Sequence, residues 1–292
     1  MLNVELKIGY TYNETPINQV TLMEISGVAE KIFSEKHAGK PYTYMAYILC
    51  GGIKSLADKF LVAEKARKDH FKSGTITIPP VILAMPLCEV NNLLVEIHRK
   101  LWKSEYKNQE TLCKYCGKVG LVDVDLDRIA YTEQAAEKLK EREDWQYLVV
   151  NLKKGLHYNP PKLANGADSP MAAYAGKYNR ITLRLPKLSD VIKHEDYADD
   201  EVIFWQKTSL DCMVSIEEVT EDEEVLRELP KECWQPMGVK IYENIFREDA
   251  AKIREAIRDE VPTMPFFYLD KCPCPQKRLI PISMEGANFF SV

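Results

Sequence analysis

Two cysteine pairs constrain this 292-residue chain more than any other feature. Cys113-Lys-Tyr-Cys116 is followed by Gly117 and a short alternating run, and Cys272-Pro-Cys274-Pro275 lies near the C-terminal end. Each pair can turn two thiols towards one ion, and together they have the ligand count of a tetrahedral structural zinc site. Cys113, Cys116, Cys272 and Cys274 are therefore the expected metal ligands, with Zn2+ as the expected structural cofactor. Gly117 suits such a knuckle because backbone amides can turn towards the thiolate sulfur. The second pair makes a tighter bite, and its prolines remove two amide donors. If all four meet one ion, the middle of the chain is clipped to its end.

The alternative uses of cysteine are weaker. A redox Cys-X-X-Cys opens a helix after a strand, where the helix dipole lowers the thiol pKa; Cys113–Cys116 instead precedes glycine and an alternating run. Cys50, Cys88, Cys212 and Cys233 stand singly in apolar or mixed settings and read as buried core thiols, with Cys233 beside Trp234 the remote alternative ligand. The N-terminus lacks the basic start and apolar stretch of a secretory signal, so a reducing, cytosolic setting is expected, in which disulfides are disfavoured.

No apolar run approaches the roughly 20 residues that span a bilayer, so no membrane partner is expected. The net charge of −5 repels phosphate backbones. The best basic stretch, from His98 to Lys118, is interrupted by Glu105 and Glu110 and reads as a solvated helix face. The five histidines show no metal-binding spacing. There is no glycine-rich phosphate loop, no serine elbow and no His-Glu zinc-hydrolase pattern, so no enzyme is expected.

Along the chain, Leu2, Val4, Leu6, Ile8, Tyr10 and Tyr12 alternate with mostly polar residues, and Ile17–Leu22 reads as the returning strand of a hairpin. Helical spacing is expected over Met23–Ser34, Tyr42–Cys50 and Ser55–Lys68, the last capped by Ser55 and Asp58. The firmest helix of the first half carries Leu87, Val90, Leu94, Ile97 and Leu101. Val122, Val124 and Leu126 then alternate as a strand, and Glu133–Trp145 reads as helical. Asn159–Tyr178, with Pro160-Pro161, Gly166, Pro170 and Gly176, is the most loop-like stretch.

The second half opens with a strand at Ile181–Leu185, followed by a short helix through Val191 and a helix over Val202–Val214. The acidic run Glu217–Glu232 reads as a solvated face or a helix flanked by loops. A well-marked helix follows, with Glu248 and Asp249 in its first turn, Ala250, Ile253 and Ile257 on one face, and Pro262 as its stop. The halves share a plan of helices, a firm amphipathic helix, a cysteine pair and an extended segment, without identities that would make a sequence repeat.

The expected fold is α+β: mainly helical layers with short β-hairpins and a zinc-knuckle, ribbon-like element. Its expected domains are 1–158, carrying the first cysteine pair, and 179–292, carrying the second, joined by a linker at 159–178.

From about Tyr178 the chain resembles the baseplate hub assembly protein family of T-even-like contractile-tail phages and related injection systems. The resemblance rests on Leu183-Arg184-Leu185-Pro186-Lys187-Leu188-Ser189-Asp190, a helical middle, and a cysteine pair before a run ending in Phe289-Phe290. Cys113–Leu126, with Val122-Asp123-Val124-Asp125-Leu126, is similar to that family's cysteine-bearing section. The first strands with Val20-Thr21-Leu22-Met23-Glu24 resemble the start of phage tail assembly chaperones.

The resemblance implies a non-enzymatic assembly or structural protein that binds tail or baseplate hub, spike or tape-measure proteins, as a chaperone or a retained part, and as a possible oligomer. It implies the host cytoplasm during assembly, with the virion tail baseplate as the further location. The rival expectation is a zinc-ribbon nucleic-acid-binding or transcription-associated protein using Arg99–Lys107; the overall charge opposes it.

Overall fold

Period-two alternation does build the start of the chain. In the computed structural model, which describes residues 2–24, 40–64, 77–97, 99–100, 105–112, 119–125, 147–160, 162, 168–259, 267–268 and 280–281, β1 (Leu2–Tyr12) and β2 (Thr15–Leu22) form an antiparallel hairpin. Its two turn residues, Asn13 and Glu14, have φ angles of 47° and 60°. Two positive φ angles are the type I′ arrangement, whose twist matches that of the flanking strands. Helix α1 (Pro41–Gly52) begins with proline, whose missing N–H would have had no helical partner.

Helix α1 runs directly into β3 (Ile53–Leu56), which pairs with β2, and β4 (Phe60–Leu61) pairs with β3. The sheet order is β1-β2-β3-β4. Helices α2 (Pro80–Leu83) and α3 (Leu87–Ile97) follow, then a separate hairpin of β5 (Glu105–Leu112) and β6 (Val119–Asp125). Helix α3 is buried on nearly every side: Val90, Leu93, Leu94, Val95 and Ile97 are all in the core, because α1 and β1 both pack against it. Each such side chain removed from water stabilises by roughly 1.5–3 kcal/mol.

The second sheet is made of β7 (Tyr147–Tyr158), β8 (Gly176–Arg184), β9 (Met213–Val219) and β10 (Val225–Glu228), in the order β10-β9-β8-β7 and antiparallel throughout. Between β8 and β9 lie α4 (Leu188–Lys193) and α5 (Glu201–Cys212). Asp200 caps α5, its side chain accepting from the Ile203 amide at 3.1 Å. After β10 come α6 (Lys231–Trp234), a 3-10 stretch at Gln235–Asn244 and α7 (Arg247–Asp259). Helix α7 lays Ala250, Ile253, Ala256 and Ile257 into the core, with β7 and α5 against it. A short hairpin of β11 (Phe267–Tyr268) and β12 (Ile280–Pro281) closes the described chain.

One plan is used twice. In each case a four-stranded antiparallel meander has a helix between its second and third strands, and that helix passes into the third strand without a break, at Gly52/Ile53 and at Cys212/Met213. A short helix entered through a proline, Pro79 or Pro230, follows the fourth strand; then come a longer helix and a separate two-stranded hairpin. The chain forms two compact units, Met1–Glu143 with Lys187–Ile192 and Pro262–Val292, and Asp144–Pro186 with Lys193–Val261, so that most of α4 and both two-stranded hairpins belong to the first.

Several expectations are corrected. The chain is α+β, but its framework is two four-stranded antiparallel sheets, not mainly helical layers. The zinc-knuckle, ribbon-like element is no part of the described architecture. Among the described residues no group of three or more His, Cys, Asp or Glu could hold a metal, and Cys113, Cys116, Cys272 and Cys274 lie outside them.

The helix expected at Ser55–Lys68 is the β3–β4 hairpin. Ala57 and Asp58 adopt φ of 47° and 52°, which turns the chain back, and Ser55 Oγ meets Asp58 Oδ1 at 3.5 Å inside the turn instead of capping a helix. The acidic run from Glu217 is likewise a strand pair, because Glu217 and Glu218 lie across from Glu228 and Arg227. The stretch expected as a linker, 159–178, is mostly the connection of the β7–β8 hairpin, and it contains a 3-10 turn at Pro170–Tyr174. The helices expected at Met23–Ser34 and Glu133–Trp145 lie almost wholly outside the described residues.

A left-handed conformation costs a non-glycine residue roughly 1–2 kcal/mol. Glu14→Gly should therefore raise stability by about 1 kcal/mol, less the extra backbone entropy of glycine in the unfolded chain. Urea unfolding checks it: the midpoint should rise at unchanged slope, and a lower midpoint would contradict the turn geometry.

Candidate functional site

Each sheet begins with a strand that carries a bulge, and each bulge is held by a carboxylate from the third residue of a helix. In the first unit the β1–β2 register shifts between Glu5 and Tyr10, around Gly9 at φ 67°. In the second the β7–β8 register shifts between Asn151 and Leu156, around Gly155 at φ 82°. Both positions require glycine. A Cβ on Gly9 would collide with the Asn18 side chain and stand 3.0 Å from the Ile17 carbonyl oxygen, and one on Gly155 would stand 2.8 Å from that of Tyr178.

A bulge turns backbone amides out of the ladder, and a buried amide must find an acceptor. Asp249 of α7, fully buried, supplies it in the second unit. Its Oδ1 accepts from Lys153 N at 2.8 Å, and its Oδ2 accepts from Lys154 N at 2.7 Å and Gly155 N at 3.0 Å. Desolvation alone would raise the pKa of this carboxyl, but the three amides and the nearby Lys252 ammonium hold it below the ordinary aspartate value.

Glu89 of α3, 1% exposed, has the same place in the first unit. Its Oε1 accepts from the amides of Ile8 and, at 3.1 Å, Gly9. The other oxygen, Oε2, is buried and no donor meets it in hydrogen-bonding geometry. Burial therefore dominates and raises the pKa of Glu89, although the Ile8 and Gly9 amides and the neighbouring Asn92 and Lys7 pull it back. Burial, with the Glu89 charge second, also raises the pKa of Tyr10, whose hydroxyl donates to the Val81 carbonyl at 2.9 Å.

Beside Glu89 lies a cleft of about 210 Å³, lined by residues 3–7 of β1, by Glu89, Asn92, Leu93 and Glu96 of α3, and by Lys100. Glu96 already holds two cations, Arg99 Nη1 at 2.8 Å and Lys100 Nζ at 3.4 Å. The cleft thus combines carboxylates, an apolar floor at Leu6 and Leu93, and the backbone of a strand at the end of its sheet.

A second polar cluster has a structural task. Asp211 of α5 receives Lys193 Nζ at 2.8 Å and meets His194 Nε2 at 2.8 Å, tying the end of α4 to α5. Desolvation opposes its ionisation, but these two partners bring its pKa down. Cys50, Cys88, Cys212 and Cys233 are all buried thiols outside any disulfide, and burial pushes Cys50 up to about 12, which suits packing and not nucleophilic chemistry.

The four predicted ligand cysteines fall in two connections. Cys113 and Cys116 follow Leu112, which pairs with Val119, and Cys272 and Cys274 lie between Tyr268 and Ile280, which pair with each other. Glu89 escaped the sequence reading. Its signal was one acid inside the apolar run Leu87-Cys88-Glu89-Val90. No family model, curated protein or solved structure matches the chain.

The two carboxylates give opposite pH dependences. Asp249, with a lowered pKa, adds stability that is present above its unfolded-state pKa and lost as pH falls through the folded value. Glu89, with a raised pKa, favours the fold when protonated, and that contribution is lost as pH rises from the unfolded value through the folded one. Asp249→Asn should cost about 3 kcal/mol at neutral pH, since hydrogen bonds to a charged group are worth roughly 1.5–3 kcal/mol each, and the loss should shrink in acid. Glu89→Gln should improve relative to wild type as pH rises. Urea midpoints over a pH series read both, and parallel pH profiles would refute the assignment.

Proposed function

We propose that this chain is a non-enzymatic assembly or structural protein of a contractile phage tail or injection-system baseplate, acting through protein–protein contacts with hub, spike or tape-measure components. The contractile-tail part rests on the sequence resemblance around Leu183–Asp190 and Cys113–Leu126. The observation that carries the protein-contact part is β10, the last strand of the second sheet, where Val225 is 54% and Leu226 62% exposed. Apolar side chains on a sheet edge are a template for another chain, which a protein without partners would blunt. Tyr147 and Val149 on β7, the opposite edge strand, add exposed apolar surface in the same unit. In the same unit, by contrast, Asp249 is committed to backbone amides and the half-buried Asp211 to lysine and histidine partners.

Zinc belongs to the same reading, as a ligand of Cys113, Cys116, Cys272 and Cys274. Its support is that β12 lies against β5 within the first unit, so the hairpins whose connections carry the two cysteine pairs are neighbours. Bound there, zinc would supply folding free energy to hairpins too small to bury a core of their own.

Two measurements test these clauses. Purified protein should hold stoichiometric zinc that is lost in Cys116→Ser together with thermal stability; metal-free protein with the same melting temperature removes the zinc clause. Co-expression with tail-tube, hub, spike and tape-measure proteins should give a complex that survives size-exclusion chromatography and is weakened by Leu226→Glu. No complex with any of them, alongside nucleic-acid binding that falls steeply with salt, would overturn the function.

A further inference from the structure

We infer that the cleft between β1 and α3 is a docking site for an extended segment of a partner protein, which adds to β1 as a fifth strand and lodges an arginine side chain against Glu89. This inference does not depend on the contractile-tail assignment.

Five consecutive residues of β1, Asn3 to Lys7, line the cleft. Alternate residues of a strand face opposite sides, so a cavity on one face would touch every second residue; one touching all five runs along the strand's backbone edge. Among the described residues that edge is the end of the sheet, since β1 has only β2 beside it in the sheet order. Further along, Glu89 already occupies the amides of Ile8 and Gly9, so residues 3–7 are the stretch where a new strand would pair. Strand addition of this kind takes its affinity from main-chain hydrogen bonds and its specificity from pockets for alternate side chains.

A buried carboxylate oxygen without a donor is a standing free-energy cost. The equivalent residue of the second unit shows that the framework does not require it: Asp249 receives three amide donors. Glu89 receives two amides on Oε1, while Oε2 meets no donor in hydrogen-bonding geometry and is served only by the nearby Asn92 side chain and Lys7 amide. A donor from outside that reached Oε2 would complete the set.

About 210 Å³ is below the roughly 300–1,000 Å³ of small-molecule pockets and suits one long side chain. Glu5, Glu89 and Glu96 outnumber Lys7 and Lys100 around it. Leu6 and Leu93 give an apolar wall for an aliphatic stem. Arginine fits better than lysine because its planar fork can present donors to a carboxylate in two directions at once and is more weakly hydrated.

The test is fluorescence anisotropy with the full chain and a labelled hexapeptide, acetyl-Thr-Val-Arg-Val-Thr-Val-amide, against the same peptide with citrulline in place of arginine. The arginine peptide should bind at least about tenfold more tightly, a difference of about 1.4 kcal/mol. Glu89→Gln should abolish that preference. Hydrogen exchange should show the amides of residues 3–7 gaining protection on binding. If Glu89→Gln does not fold, the exposed Glu5→Lys tests the same charge preference and should weaken the arginine peptide several-fold while leaving the citrulline peptide unchanged. Equal affinity for the two peptides, no binding of either, or protection confined to another strand would overturn the proposal.

Discussion

A carboxylate placed at the third residue of a helix, and buried against the bulge of a strand, is the interaction on which both units depend. A bulge bends the first strand of each sheet but leaves amides facing away from the ladder, where each would cost a few kcal/mol if left unpaired. The helix that packs over the strand brings the acceptor. Its acid also stands near the positive end of the helix dipole, which favours the charged form. Polar satisfaction and helix docking are therefore one event: losing the acid frees the amides, and losing the glycine at the bulge moves them out of reach. Gly9 with Glu89 and Gly155 with Asp249 are coupled pairs for this reason.

The recurrence of this device, together with the strand order and the unbroken passage from helix to third strand, gives the two sheets one design. The two units differ in electrostatics. The aspartate of the second unit is saturated and ionised easily; the glutamate of the first is underserved and resists ionisation. Two units of one design allow this, because one can keep a fully satisfied bulge while the other leaves Glu89 Oε2 without a donor in hydrogen-bonding geometry.

How much of this was legible follows from how local each signal is. The first hairpin was readable, since six alternating apolar residues need no knowledge of what covers them. The helices over Pro41–Gly52, Leu87–Ile97 and Arg247–Asp259 showed their period in sequence and formed where expected. Ser55–Lys68 misled because Leu56, Phe60 and Leu61 have spacings that fit a helix; two left-handed residues at 57 and 58 decide otherwise, and only pairing with β2 holds them there. Strand β7 had a clear signal in Leu148, Val150 and Leu152, yet no element was expected over it, and without it the second sheet could not be recognised as a counterpart of the first. Of the site, Asp249 was visible as a first-turn acid, but nothing local distinguishes an acid that caps its own helix from one that holds another element's amides.

The amino-acid sequence alone determined the local periods, the glycines that permit bulges, the acids at the third positions of two helices and the spacing of the four cysteines. These depend on residue type and near neighbours. Only the tertiary structure decided that the framework is two sheets, that one design occurs twice, and that Glu89 and Asp249 end in different electrostatic states. Those outcomes depend on contacts between residues about 80 and 95 positions apart, as in Gly9 with Glu89 and Lys154 with Asp249. Desolvation and donor supply at such a contact are set by everything packed around it.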